Sequence, residues 1–246
     1  VGLVLADVVE ILSGGNLMMI LLLTALLSLI LGMGLPTTAN YIVVSALMAP
    51  VIVLLGQQNG LIVPLIAVHL FVFYFGIMAD VTPPVGLASF AAAAVSGGDP
   101  LRTGFQAFYY SLRTAALPFL FIFNTDLLLI DVTVMQGILV FIVATIAMLI
   151  FAAGTQGYML TRNRWYESLL LLLVAFTLFR PGFWMDKIHD PYESVPPAQF
   201  AEALGRVDDG SNLRVQIAGE DDFGAPMTTY MLVPVPRGET GEERMA

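Results

Sequence analysis

The sequence predicts an all-α polytopic membrane protein with broken or re-entrant helices, followed by a small soluble α+β module at the C-terminal end. The composition is 58% hydrophobic and only 12% charged, which is typical of polytopic membrane proteins. Residues 11–79 contain no Asp, Glu, Lys or Arg, and two stretches rich in Gly, Pro and Thr interrupt the apolar sequence. Because hydrocarbon offers no water to free backbone groups, such breaks persist where they line a cavity or bind a ligand.

Six segments approach the length of about 20 apolar residues that a transmembrane helix needs. They are 17–35, 37–55, 60–79, 105–125, 132–153 and 166–184, and a shorter apolar stretch follows at 84–96. The residues leave open whether 17–55 is a re-entrant hairpin or two full spans, because each arm is long enough to cross. We divide the chain into 1–130 with both breaks, 131–185 with two additional transmembrane helices, and the module 186–246.

The first break covers residues 32–40 and reads GMGLPTTAN. We expect Gly34 to end one helix and Pro36 to start the next, since proline is tolerated at the first helical position. Thr37, Thr38 and Asn40 then supply side-chain oxygens at the new N-terminus. The alternative is a simple Gly/Pro kink in a packed span, which membrane helices also tolerate.

The second break covers residues 80–86 and reads DVTPPVG. We expect Thr82 to cap a new helix, Pro83 to occupy its first position ahead of Pro84, and Gly86 to permit a close approach. Asp80 is the carboxylate that this region offers, and an acid within a membrane segment is a functional-site candidate. The alternative is that Asp80 lies near the interface and only caps a helix.

Opposed ends of broken helices present carbonyl oxygens to a cation and amide donors to an anion, so sodium and a carboxylate are the natural ligands. His69 lies 11 residues before Asp80, about 16 Å along a helix. That separation is too large for a direct pair, and we expect His69 to be a hydrogen-bonded packing residue rather than a proton carrier.

Several functional classes are disfavoured. The chain has no cysteine, and it shows no metal-ligand cluster, phosphate-binding glycine loop or nucleophile triad. An intramembrane aspartyl protease would need a second acid facing Asp80, which residues 11–79 do not supply. We therefore expect no enzyme activity and no cofactor. The net charge of −9 argues against nucleic acid as a partner.

The charge of the loops predicts the orientation. Two spans separate Arg102 and Arg113 from Arg162 and Arg164, so both pairs can lie on the cytoplasmic side. The module at 186–246, which carries 12 of the 19 acidic residues, is then periplasmic.

The module has its own pattern of secondary structure. We expect a helix at 198–206 and a β-hairpin formed by 213–217 and 227–235. The last ten residues are expected to be disordered.

At both breaks the sequence resembles the large membrane subunit of tripartite ATP-independent periplasmic (TRAP) transporters. The resemblance lies in GLPTTANYIVVSALMAP at 34–50 and ADVTPPVGLASFAAAAVSGGDP at 79–100, and it covers roughly residues 1–130. Residues 131–246 resemble, more loosely, the C-terminal extension of fused TRAP permeases of the TAXI type. The chain is thereby expected to be the C-terminal part of such a permease, with the second inverted repeat in 1–130.

The resemblance implies an elevator-type symporter of the bacterial inner membrane that takes up an organic acid with sodium. Its partners would be a periplasmic substrate-binding protein, the lipid bilayer, and the remaining N-terminal part of the permease with the small-subunit helices. Sodium would meet carbonyls near Gly34 and at Asp80 to Pro83, with Thr37, Thr38 or Thr82 assisting. Two alternatives stay open: a proton-coupled anion carrier that uses Asp80, and a non-transporting membrane scaffold whose tail binds a partner.

Overall fold

The computed structural model describes residues 8–9, 11–130, 132–180, 182–189, 195–207, 212–220 and 226–235. The chain divides into two compact units. The first comprises Val1–Leu55 and Val63–Phe183, and the second comprises Gly56–Ile62 and Trp184–Ala246. Residues 56–62, called loop 56–62 below, comprise the last residues of one helix and the start of the loop after it, and they group with the C-terminal residues and not with the rest of that helix.

A helix lies in each predicted span and in the shorter apolar stretch, but three of these seven helices have only 14 to 16 residues, fewer than the predicted spans. The seven helices are α1 (Leu17–Gly32), α2 (Thr37–Gln58), α3 (Leu65–Met78), α4 (Leu87–Ser96), α5 (Pro100–Phe123), α6 (Val134–Gln156) and α7 (Trp165–Phe179). Helix α5 begins five residues earlier than the apolar pattern predicts. The reason is its cap, because Asp99 Oδ1 accepts a hydrogen bond from the Arg102 amide at 2.8 Å and Pro100 occupies the first turn.

Helices α1 and α2 form a helical hairpin. The Asn40 side chain of α2 donates from Nδ2 to the carbonyl of Ser28 in α1 at 2.9 Å. In a continuous helix, residues 12 apart would be separated by about 18 Å. The chain therefore reverses at the first break, and this hairpin geometry holds for either form of 17–55 that the sequence allows.

Two helices, Thr37–Gln58 and Val134–Gln156, are long and apolar enough to cross a membrane by length and composition. Only 11% of the most apolar window of α6 is buried, so most of this helix presents its apolar side chains outward. Helices α6 and α7 pack through buried Ala147, Ala175 and Phe179. A Cβ built on Gly154 would lie 3.1 Å from Leu172 Cγ, which shows how closely the two helices approach.

The second unit contains the predicted helix and hairpin. The short helices α8 (Gly182–Ile188) and α9 (Phe200–Arg206) precede the strands Asn212–Glu220 and Pro226–Pro234, and a 3₁₀ turn spans Pro197–Gln199. The two strands, β3 and β4, pair antiparallel with Leu213 opposite Val233 and Ile217 opposite Thr229. Strands β1 (Tyr158–Met159) and β2 (Thr161–Arg162) form a small turn between α6 and α7. The expected disordered end lies outside the described residues.

Candidate functional site

The first break separates α1 and α2 by four residues. The carbonyl of Leu31 accepts hydrogen bonds from the amides of both Gly34 and Leu35, at 3.1 and 3.0 Å, which closes the last turn of α1. Pro36 has no N–H to donate, but its carbonyl accepts from the Asn40 amide at 2.9 Å. The helices thus end at Gly32 and begin at Thr37, slightly displaced from the expected Gly34 and Pro36.

The second break differs from the expected capping pattern. A 3₁₀ turn, Ala79–Val81, extends α3, and the next helix begins only at Leu87 with Gly86 as its cap residue. The predictions of Thr82 as an N-cap and Pro83 as a first helical residue are therefore wrong. The Thr82 hydroxyl instead donates to the Met78 carbonyl at 2.6 Å, so it closes the preceding helix. Gly86 adopts φ +25°, a conformation that favours glycine.

The structure brings the two breaks together. Thr37 Oγ1 donates to Asp80 Oδ2 at 3.4 Å, a long hydrogen bond between the start of α2 and the end of α3. A Cβ built on Gly32 would lie 2.5 Å from the Cβ of Ala79 and 2.8 Å from Asn40 Nδ2. A Cβ built on Gly76 would lie 3.3 Å from the same Asn40 nitrogen. These small residues let the tip of the hairpin approach the backbone of α3 directly.

The predicted site residues differ in exposure within this arrangement. Gly34, Pro36, Thr38 and Pro84 are exposed, Thr37, Asp80, Thr82 and Pro83 are half-buried, and Asn40 and Gly86 are buried. The site is therefore a surface of exposed backbone supported from behind by a buried amide. Only Asn40 among the polar side chains of the first break belongs to the interior.

Free backbone groups cluster at the junction. No backbone N–H of the described residues bonds the carbonyls of Met33, Gly34 and Leu35, or those of Asp80 and Pro83. The first amides of α2 point out of its N-terminus, where a helix carries partial positive charge. The junction thus combines oxygen ligands of the kind that a hard cation prefers with donors for an anion.

Two buried hydroxyls extend the polar region in a way that the sequence reasoning missed. Thr24 and Ser28 of α1 and Asn40 of α2 are each fully buried. Within the described residues, Thr24 Oγ1, Ser28 Oγ and Asn40 Oδ1 have no hydrogen-bond partner. Buried polar atoms are normally satisfied, so these three oxygens are unusual for an apolar hairpin and extend its polar character. The spacing of Thr24 and Ser28 on one face of α1 is the signal that could have revealed them.

Helix α5 also contributes to the second break. A Cβ built on Gly104 would lie 3.2 Å from Pro83 Cγ and 3.3 Å from Ser89 Oγ. The Ser89 hydroxyl donates to the Gly86 carbonyl at 2.7 Å. Gly104 therefore allows α5 to pack directly against the unwound backbone.

His69 is hydrogen-bonded and packed against an aromatic ring, as predicted. The Tyr41 hydroxyl and His69 Nδ1 share a hydrogen bond at 2.9 Å, and their rings lie 5.8 Å apart. Tyr41 also contacts Phe73 edge-on, which adds to the contact between α2 and α3.

Comparison with protein families divides the chain near the start of α6. Residues 1–136 match the family described as "Tripartite ATP-independent periplasmic transporter, DctM component". Residues 137–246 match a domain of unknown function, DUF3394. Comparisons with curated proteins and with solved structures gave no match. Both breaks and every predicted site residue lie within the first matched region.

Proposed function

Because this chain belongs to the family of DctM components of tripartite ATP-independent periplasmic transporters, we propose that it couples the uptake of an organic acid to sodium. Members of this family are integral membrane transporters, so the protein is a membrane transport protein and not an enzyme. The proposed solute is delivered by a periplasmic binding protein. We propose that the protein acts in the bacterial inner membrane together with a small membrane subunit.

The meeting of the two breaks is the observation that carries this proposal. Asp80 and the free carbonyls of Gly34 and of Asp80 supply an all-oxygen environment, which fits sodium as a hard cation. The Thr82 hydroxyl donates its proton to the Met78 carbonyl, so its oxygen lone pairs remain free for a cation. Sodium bound there would lie beside the N-terminus of α2, where the amides of Thr37 and Thr38 favour a carboxylate.

The buried oxygens behind the break support a polar pathway into the hairpin. Thr24, Ser28 and Asn40 offer three oxygen atoms without partners in an otherwise apolar segment. Leaving such atoms unsatisfied costs about 1–3 kcal/mol each. A bound ion or ordered water that satisfies them would stabilise the hairpin, which links occupancy of the site to its shape.

The close packing of the breaks supports an elevator mechanism. Helices α1 and α3 approach each other closely at the small residues Gly32, Gly76 and Ala79. The Asn40 side chain lies beside this contact. Closely packed elements move as one body more readily than they deform. We propose that the hairpin and α3 carry the site across the membrane together, with the hairpin re-entrant.

Uptake by proteoliposomes containing the complete transporter tests the coupling ion. With the binding protein supplied outside, we expect solute uptake to require an inward sodium gradient and to persist when the proton gradient is collapsed. Uptake that follows the proton gradient and ignores sodium would contradict the proposal and favour the proton-coupled carrier. In that case Asp80→Asn would abolish the coupling, since Asp80 is the half-buried acid at the junction.

A further inference from the structure

The second unit contains a contact between segments that are 154 residues apart in the sequence. Arg214 of β3 donates from its guanidinium to the carbonyl of Gly60, in the loop between α2 and α3. The Arg214 guanidinium also lies over the ring of Tyr230 in β4, 4.7 Å from the centroid. Because Gln216 is opposite Tyr230 in the register, Arg214 and Tyr230 are diagonal neighbours on one face of the hairpin.

The backbone conformation of the loop at Gly60 allows the Arg214 side chain to approach closely. Gly60 adopts φ +74°, where side chains other than glycine are strained. A Cβ built there would lie 2.9 Å from Arg214 Nη2 and 3.6 Å from Tyr230 Cε2. The positive φ therefore favours glycine at this position, and a larger residue would also have to displace the tip of the Arg214 side chain.

Cation, carbonyl and ring together form a specific arrangement. A hydrogen bond that involves a charged group is worth more than a neutral one, and a cation over an aromatic face adds to it. All three residues are half-buried, which reduces screening by solvent. We therefore expect this arrangement to stabilise the contact more than an exposed ion pair would. The pair of Arg206 and Glu202, whose side chains are 67% and 61% exposed, is an example of the latter.

We propose that the face of the β3–β4 hairpin bearing Arg214 and Tyr230 is a docking surface, and that its partner is the loop 56–62 of the same chain. This assigns a role to the C-terminal region, which matches only a domain of unknown function. Loop 56–62 includes the last residues of α2, and the other end of α2 is the first break. Docking therefore restrains the far end of the arm that begins at Thr37.

The restraint matters because α2 is long and continuous. Its 22 residues connect the first break to loop 56–62 along the chain. If the hairpin moves during transport, as the proposed function requires, the docked loop holds one end of that arm. Release of the loop then changes the rate of the conformational step and leaves the ligands of the site in place.

Hydrogen exchange in the complete transporter tests the docking directly. We expect Arg214→Ala and Tyr230→Ala to accelerate amide exchange in loop 56–62 by roughly ten-fold, the equivalent of one charged hydrogen bond. Strands β3 and β4 should keep their protection. The matched control is Arg206→Ala, which removes an arginine from the same unit and should leave the loop unchanged. Unchanged loop exchange in Arg214→Ala, with both strands still protected, would overturn the proposal.

A second pair of variants approaches the contact from the loop, in case Arg214→Ala unfolds the hairpin. Gly60→Ala introduces backbone strain and displaces the tip of the Arg214 side chain from the loop, whereas Gly97→Ala introduces strain alone, because no atom lies within 4 Å of a Cβ there. We expect Gly60→Ala to expose the face of the hairpin and Gly97→Ala to leave it protected. Equal effects of the two variants on the hairpin would contradict docking. Exchange is measured without transport, so its outcome is independent of whether sodium drives uptake.

Discussion

At the scale of residues, the proposed site depends on two side chains of the first break, of which one reaches the second break and the other reaches helix α1. The hydroxyl of Thr37 reaches the carboxylate of Asp80, and the amide of Asn40 reaches the carbonyl of Ser28. The first of these contacts is half-buried and 3.4 Å long, so it can exchange for a ligand. The second is fully buried and 2.9 Å long, so it holds the hairpin closed. We therefore expect Thr37 to act in binding and Asn40 to act in structure.

Replacement of Thr37 tests its role in binding. In the complete transporter, Thr37→Val keeps the shape of the side chain but removes the hydroxyl, and we expect the sodium concentration for half-maximal uptake to rise about five-fold. Thr145→Val is the control, because the exposed Thr145 hydroxyl bonds only the carbonyl of Phe141 in its own helix. Equal sodium dependence in both variants would remove Thr37 from the site. If Thr38→Val and Thr82→Val also left uptake untouched, the scaffold alternative would be favoured.

Replacement of Asn40 tests its role in structure. Asn40→Leu removes the bond to Ser28 but also the unpartnered Oδ1, so we expect it to destabilise the folded transporter by only about 1 kcal/mol. Unfolding of the purified protein in mixed micelles would measure the change. Asn212→Leu, at an exposed position, should have little effect. A stability of Asn40→Leu equal to that of the wild type would show that the hairpin closes without this amide.

At the scale of elements, helices were more predictable than their ends. Hydrophobicity alone places a helix in every predicted span, although three of these helices are shorter than the length of about 20 apolar residues that a span needs. The caps were predicted less well. Thr82 can donate to a carbonyl behind it or accept from amides ahead of it, and only the tertiary structure selects the former.

Local sequence also does not predict the contact between the two breaks. Residues 32 and 79 come together because both are small, and sequence spacing carries no information about which small residues will pair. Thr24 and Ser28 were overlooked for a related reason: their hydroxyls attract attention only once burial without a partner is visible. The types of residue at the site were thus predictable, whereas their juxtaposition was not.

The close approach of α1 to α3 gives a prediction at this scale. Gly32→Ala places a methyl group 2.5 Å from the Cβ of Ala79, which packed helices accommodate only by moving apart. We expect solute uptake to fall more than ten-fold. Gly137→Ala is the matched control in α6, where the built Cβ makes an ordinary contact of 3.5 Å. Full activity of Gly32→Ala would show that the two breaks need not touch.

At the scale of the whole molecule, the two compact units combine a transport region with a C-terminal region that has a surface of its own. Loop 56–62 and the β3–β4 hairpin belong to one unit, so they must lie on the same side of the membrane. By the positive-inside rule we expect the turn that contains Arg162 and Arg164 to be cytoplasmic, one crossing before the C-terminal unit. Together these statements predict a periplasmic loop and a periplasmic hairpin.

Accessibility of single cysteines tests this topology, and the chain offers a background without native cysteine. In cells, Asn59→Cys and Glu202→Cys should react with a maleimide that cannot cross the membrane. Leu160→Cys, at a position that is 90% exposed between β1 and β2, should react only after the membrane is permeabilised. Reaction of Asn59→Cys and Glu202→Cys from opposite sides would be incompatible with docking of the loop on the hairpin.

Sodium binding to the purified complete transporter tests the central claim most directly, because the claim is that the two breaks form one ion site. Calorimetric titration should show that Asp80→Asn weakens sodium binding at least ten-fold, since a carboxylate at the junction is replaced by a neutral amide. Asp126→Asn, at an exposed position after α5, should bind sodium as the wild type does. Equal sodium affinity in the wild type and in Asp80→Asn would contradict the account.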